Sequence, residues 1–132
     1  MSDQRVPIER EADIVTARQV GRKLAAEMGF STTDQTLIAT AISEVARNIV
    51  SYAKAGEVEI ERAHDGGRDG IVVIARDNGP GIADLELAMR DGFSTERSLG
   101  MGLPGARRLM DDFAIDSKIG KGTTVTMRKW RR

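Results

Sequence analysis

A carboxylate, an amide and two glycine turns follow one another in an order that could hold a metal-bound triphosphate. Asp77-Asn78-Gly79-Pro80-Gly81 supplies one turn and Gly100-Met101-Gly102-Leu103-Pro104-Gly105 the other, with Glu44-Val45-Ala46-Arg47-Asn48 upstream of both. Asp77 closely follows the apolar run Ile71-Val72-Val73-Ile74-Ala75. A carboxylate at a strand end can accept a hydrogen bond from an exocyclic amine such as adenine N6. The glycines after it remove side chains, so a flat base can approach the backbone. Asn-Gly and Pro-Gly are also ordinary turn dipeptides, so this segment taken alone reads equally as a plain turn.

Gly100-Met101-Gly102 precedes a helical pattern that opens with Pro104. A helix start offers free N–H groups and the positive end of the helix dipole, which suits a phosphate. No Gly-Lys-Ser/Thr follows, so this is not a Walker loop, and the spacing does not fit the dinucleotide fingerprint. Asn48 could ligate Mg²⁺ through its amide oxygen, because magnesium takes few protein oxygens and keeps phosphate and water oxygens for the rest. Glu44, one helical turn earlier, could orient or deprotonate a hydroxyl or water attacking a γ-phosphate. An exposed helix face with a Glu44–Asn48 or Glu44–Arg47 surface contact is the plainer reading of the same residues. Arg97 lies in the charged, turn-rich stretch from Ile82 to Leu99, which reads as a lid that Phe93 could anchor. Arg97 could stabilise charge on the γ-phosphate or stand in solvent. Thr123 could turn its hydroxyl towards the base or be an ordinary strand-start Thr.

The elements that must position these groups are legible in the periodicity. Val6-Pro7-Ile8 reads as a short edge strand, since Pro is confined to edges. Ile14, Ala17, Val20, Leu24, Ala25 and Met28 recur at helical spacing, and Gly29 is a natural stop. A second helix, capped by Thr33 or Asp34, runs to about Tyr52. It carries Ile38, Ile42, Val45 and Ile49 on a core stripe and Thr40, Glu44, Arg47, Asn48 and Ser51 on the opposite face. Glu57-Val58-Glu59-Ile60-Glu61 alternates and predicts a strand with one wet face, followed by a turn from His64 to Gly70. Ile71 to Ala75 predicts a strand buried on both sides. Leu103, Ala106, Leu109, Met110 and Phe113 mark a third helix, and Ala114–Lys118 and Thr123–Lys129 predict strands around Gly120-Lys121-Gly122. The expected fold class is an α+β two-layer sandwich, a mostly antiparallel mixed sheet with helices on one face, in one domain spanning 1–132.

Composition narrows the function. With 20 Lys+Arg against 20 Asp+Glu the net charge is zero, which argues against bulk nucleic-acid binding. The basic ending Arg128-Lys129-Trp130-Arg131-Arg132 reads as a solvated tail. There is no cysteine, so thiolate chemistry and disulfides are excluded. The single His64 reads as a solvated turn residue. No apolar run reaches membrane-spanning length and the N-terminus has no signal-peptide core, so the expectation is a cytoplasmic protein without a membrane partner.

These pieces together resemble the GHKL ATPase superfamily, with its Bergerat-type ATP-binding fold. Glu44 to Asn48 looks like its N box, Asp77 to Gly81 its first glycine box, Gly100 to Gly105 its second, and Gly122-Thr123 its last adenine-side element. Within it, the chain is most similar to the small bacterial serine/threonine kinases of stressosome partner switching. That likeness extends to Asp13-Ile14-Val15-Thr16-Ala17-Arg18-Gln19, Ala41-Ile42-Ser43-Glu44-Val45-Ala46-Arg47-Asn48, Asp91-Gly92-Phe93-Ser94-Thr95 and Gly102-Leu103-Pro104-Gly105. The resemblance implies ATP and Mg²⁺ as cofactors, Glu44 as catalytic base, Asn48 on the metal and Asp77 on adenine. It implies further ATP contacts from Gly79, Gly81, Ile82, Gly100, Met101, Gly102, Leu103 and Thr123. It implies STAS-domain scaffold or antagonist proteins as substrates and a PPM-type phosphatase as the partner of the released kinase. Many histidine kinases carry a Lys three residues after the N-box Asn. Here that position is Ser51, so no such phosphate contact is expected. An anti-sigma kinase of the same fold and an ATP-gated binding module without turnover are the alternatives.

Overall fold

A computed structural model describes residues 4–81 and 102–132. The lid stretch, with Arg97 and Phe93, lies outside the described residues, as do Ile82, Gly100 and Met101. Strand β1 (Gln4–Ile8) leads into helices α1 (Glu11–Glu27) and α2 (Thr32–Tyr52). The hairpin β2 (Gly56–Asp65) and β3 (Arg68–Asp77) follows, then α3 (Gly102–Leu109), β4 (Asp112–Lys118) and β5 (Gly122–Trp130). The strands form one sheet in the order β1-β2-β3-β5-β4, and every described pairing is antiparallel. The α+β sandwich is as expected, without a parallel pair among the described strands. Pro7 lies on the edge strand β1, as its missing N–H requires.

Short-range chemistry sets the helix ends. Asp13, in the first turn of α1, accepts the N–H groups of Glu9 (2.8 Å) and Arg10 (3.1 Å) and so holds the entering chain. The helix ends at Gly29, whose φ of 85° lets Phe30 N–H reach back to Ala25 O and Gly29 N–H to Ala26 O. That closure buries Phe30 and leaves Ser31 extended at the start of α2. Ser31 Oγ, rather than Thr33 or Asp34, is therefore the cap, accepting Asp34 N–H at 3.1 Å.

Ile38, Ile42, Val45 and Ile49 of α2 are fully buried against Val58, Ile60, Val73 and Met127 of the sheet, with Ile14 and Leu24 from α1. Leu103, Ala106 and Met110 carry α3 into the same core. Residues of β3 alternate between this helix side and an opposite face on which no described element packs. Val72 is nonetheless buried there, with Glu61 and Arg128 as its cross-strand neighbours.

Four sequence expectations need correction. Phe113 belongs to β4, not to the third helix, which stops at Leu109. The β2–β3 turn is only Gly66-Gly67, both with positive φ, so His64 is a strand residue paired with Asp69 and its Nδ1 lies 2.8 Å from Asp69 Oδ1. The basic ending begins inside β5, which runs on to Trp130 and leaves only Arg131 and Arg132 beyond it. Lys129 Nζ donates to Leu109 O (2.9 Å) at the negative end of α3, and Trp130 is buried with Arg68 stacked 4.2 Å above its ring. Finally, the face of β2 expected to be wet buries Glu59. Its Oε1 accepts from Arg76 Nη1 at 2.9 Å, and Arg5 lies 3.7 Å from Oε2. An alternating pattern cannot show that arginines from both neighbouring strands will cover the middle carboxylate.

A hydrogen bond with Glu61 first, then one from Arg76, holds the Glu59 carboxyl below its ordinary value of 4.5, against the opposing pull of burial. The folded state therefore binds this proton less readily than the unfolded chain does. The stabilisation is fully present above the unfolded value and is lost as pH falls through the lower folded one. Denaturant unfolding followed from about pH 7 to about pH 3 should show this loss. Glu59→Gln should flatten that limb of the profile.

Candidate functional site

Four strands bring one residue each to a transverse row at one end of the sheet: Gly56, Asp77, Thr123 and Ser117. Cross-strand partners point to the same face, and the next row on it is Val58, Ala75, Val125 and Ile115. The row therefore lies on the helix side. Asp77 Oδ1 accepts the N–H of Gly79 at 2.9 Å and that of Thr123 at 3.3 Å. One carboxylate oxygen thus shapes the first glycine turn and joins it to β5. Asp77 Oδ2 keeps its acceptor capacity, with no partner among the described residues. Thr123 is buried, and its Oγ1 lies 2.8 Å from Ser117 Oγ, which also donates to Gly122 O at 3.2 Å.

The turn packs too closely for side chains. A Cβ on Gly79 would stand 2.6 Å from the Cβ of Ala53, just beyond α2. Gly122 has φ 108°, and a Cβ there would run into the carbonyl oxygen of Asp77. Gly120 N–H donates to Pro80 O at 2.8 Å, so the far end of the turn, up to Gly81, rests on the β4–β5 hairpin.

Helix α2 carries the second group of candidates, and α3 packs directly against it. Glu44, about 15% exposed, accepts the N–H of Gly102, the first residue of α3, on Oε1 at 3.0 Å. Arg47 Nη1 lies 3.9 Å from Glu44 Oε2. Of the two surface contacts that the plainer reading of this face offers, the one with Arg47 is present, but Glu44 also reaches the start of a neighbouring helix 58 residues away in the chain. Asn48 is half-buried one turn further along α2, and its amide has no partner among the described residues. Leu103 is buried in the core, so what it could offer a ligand is its backbone.

The structure thus brings Asp77, Gly79, Gly81 and Thr123 to the end of the sheet and Glu44, Asn48 and Gly102 to the α2–α3 contact. An open depression of about 620 Å³ adjoins Asp77, lined by Ala53, Gly56, Glu57, Arg76 and Asn78. It includes neither Glu44 nor Asn48 and is not where a triphosphate would meet them. Sequence reasoning missed Ser117 and Ala53. Their roles come from strand register and from chain packing, neither of which a local pattern carries.

The family model described as Histidine kinase-like ATPase domain matches residues 8–129. The chain belongs to that family. Over the full length of both chains it is 53% identical to Serine/threonine-protein kinase RsbT of Bacillus subtilis. It is 35% identical to an Anti-sigma F factor of a Thermoanaerobacter species, covering 86% of this chain and 82% of that one. A crystal structure of the RsbU and RsbW domains of a Mycobacterium tuberculosis protein superposes on the whole chain with a TM-score of 0.67 at 24% identity. The chain spans 33% of that longer protein, and the likeness shows the shared fold.

Two outcomes test this geometry. Gly122→Ala should cost more than about 2 kcal/mol of unfolding free energy, against about 1 kcal/mol for Gly120→Ala, where a Cβ meets nothing. Thermal or denaturant unfolding of the two variants gives the comparison. Glu44→Ala should speed hydrogen exchange at the Gly102 amide while leaving amides of the β3 core unchanged.

Proposed function

We propose that this protein kinase works in a partner switch, transferring the γ-phosphoryl group of ATP to a Ser or Thr of a STAS-domain scaffold or antagonist protein. Once released from that protein, it would activate a PPM-type phosphatase. The observation that carries the reading is the meeting of Glu44 with the N-terminus of α3 beside Asn48, at one flank of a sheet whose end displays Asp77 Oδ2, which has no partner among the described residues. The likeness to RsbT over both whole chains supports the choice of a protein hydroxyl as acceptor.

In this reading Asp77 Oδ2 accepts from the amino group of adenine, and the Gly79–Gly81 turn lets the base lie against the backbone. The first turn of α3 presents N–H groups to the phosphates, as Gly102 N–H already does to a carboxylate. Glu44 takes the proton of the attacking hydroxyl, and Arg47 lies beside it. The half-buried amide of Asn48, without a partner among the described residues, suits Mg²⁺, which needs only one or two protein oxygens when it also binds phosphates. Bound there, the ion would neutralise phosphate charge. Since phosphoryl transfer is mostly positioning and electrostatics, these few side chains suffice.

Likeness to anti-sigma factors favours a second reading, in which the kinase docks on a sigma factor. A pull-down against a STAS-domain protein and a sigma factor separates the two. For the kinase itself, Glu44→Ala should keep ATP affinity within about threefold and reduce phosphate transfer to a STAS protein by about 10²- to 10⁴-fold. Asp77→Ala should weaken ATP binding by about 10- to 100-fold. Calorimetry and transfer of labelled phosphate give both numbers. Full transfer activity in Glu44→Ala would remove Glu44 from the mechanism.

A further inference from the structure

We propose that Ser117 is a positioning residue for purine choice: it fixes the Thr123 hydroxyl as a hydrogen-bond acceptor, so that this end of the pocket takes a 6-amino purine and rejects a 6-oxo one. The inference rests on the proposed reading of Asp77 as the base-binding residue and extends it to a neighbour on a different strand.

A serine hydroxyl has one proton to give and two lone pairs to offer, and so does a threonine hydroxyl. Ser117 Oγ donates to the carbonyl oxygen of Gly122, a group that can only accept. Either hydroxyl can donate in the 2.8 Å contact between Ser117 Oγ and Thr123 Oγ1; with the Ser117 proton given to Gly122, it is Thr123 that donates and Ser117 that accepts. Thr123 has spent its proton, and what remains on its oxygen is lone pairs. Its own backbone N–H is also committed, to Asp77 Oδ1. Asp77 contributes a second acceptor, Oδ2, in the adjacent place of the same row.

The side chains of β3 and β5 at this end therefore present acceptors alone. An exocyclic amine meets them with donors. A carbonyl at the same ring position meets two acceptors, and a buried, unpaired polar contact of that kind is what separates close analogues most strongly. The arrangement depends on register. Ser117 stands opposite Thr123, which stands opposite Asp77, and the same two strands set the Gly122 carbonyl beside Ser117. With Ser117 shortened to alanine, the Thr123 hydroxyl loses the acceptor that holds its proton and can rotate to donate into the pocket.

The test compares ATP with inosine triphosphate, which differs in carrying oxygen in place of the amine, by calorimetry on the full chain with Mg²⁺. The wild type should prefer ATP by at least about 30-fold. Ser117→Ala should narrow that ratio about tenfold, mainly by gaining affinity for inosine triphosphate. Ser117→Thr, which keeps the hydroxyl, should restore it. Thr123→Val, which keeps the shape and removes the hydroxyl, should also narrow it, and it carries the test if Ser117→Ala does not fold. An unchanged ratio in the alanine variant, or equal loss of affinity for both nucleotides, would overturn the proposal and leave Ser117 a merely structural residue. A wild type that binds both nucleotides equally would overturn it as well. A well-folded wild type that binds neither would instead sink the reading of Asp77 as the base-binding residue.

Discussion

Asp77 Oδ1 is the atom on which this end of the molecule depends. It accepts one N–H from the turn that follows its own strand and one from the neighbouring strand β5. A single acceptor thus fixes where the chain goes after β3 and how the β4–β5 hairpin sits beside it. The glycines are consequences of that fastening. With the turn drawn against Ala53, no side chain fits at Gly79, and with β5 drawn against the Asp77 carbonyl, none fits at Gly122. The carboxylate that would recognise a base is therefore the group that builds the recess for it. On the proposed mechanism its two oxygens would divide these tasks, Oδ1 for the turn and β5 and Oδ2 for the base.

Helix α2 meets a different constraint, since both of its faces are occupied. One stripe fills the core, and this supplies most of the energy that keeps the helix in place. The other presents Glu44 and Asn48 from a backbone that packing has already made rigid, a better platform than a loop for groups that must hold their geometry. Helix α3 has only eight residues and could not persist alone. It is held by Leu103 and Ala106 in the core, by Glu44 at its positive end and by Lys129 at its negative end. The carboxylate and the ammonium each oppose the dipole where it is strongest.

Much of this was legible in the chain because it is periodic. The apolar stripes of α1 and α2, the alternation in β2 and the unbroken apolar run of β3 gave the elements and their order. The glycine boxes gave the candidate site. What was not legible depends on register and on contacts between distant segments. Glu59 looks wet in a strand pattern and is buried because Arg5 and Arg76 lie across it. Lys129 and Trp130 look like a basic tail and are interior because β5 runs on past Thr126 alongside β3. Ser117 carries no signal of its own. It matters only because the β4–β5 hairpin turns over Gly120 and Lys121, which sets it opposite Thr123. A shift of one residue would point it away. His64 was misplaced for a local reason, since Gly66-Gly67 allows a tighter turn than the polar run around it suggests.

The contact between Glu44 and Gly102 brings the two halves of the proposed mechanism together. A carboxylate at a helix N-terminus occupies the place that suits a phosphate, and both offer the same N–H groups an anionic oxygen. On the proposed mechanism the two compete for Gly102, so arrival of the triphosphate takes over the donor that holds Glu44. The displaced carboxylate stays on a helix whose other face is packed in the core, with Arg47 on the same helix. It exchanges a fixed partner for freedom to meet a substrate hydroxyl. Binding of the nucleotide and readiness of the base are then one event, and a site without nucleotide keeps its base engaged. The cost is a lower affinity for ATP than an unobstructed helix end would give, because a good hydrogen bond has to be broken first. A kinase of a partner switch can tolerate that loss more readily than it could tolerate an idle, exposed base.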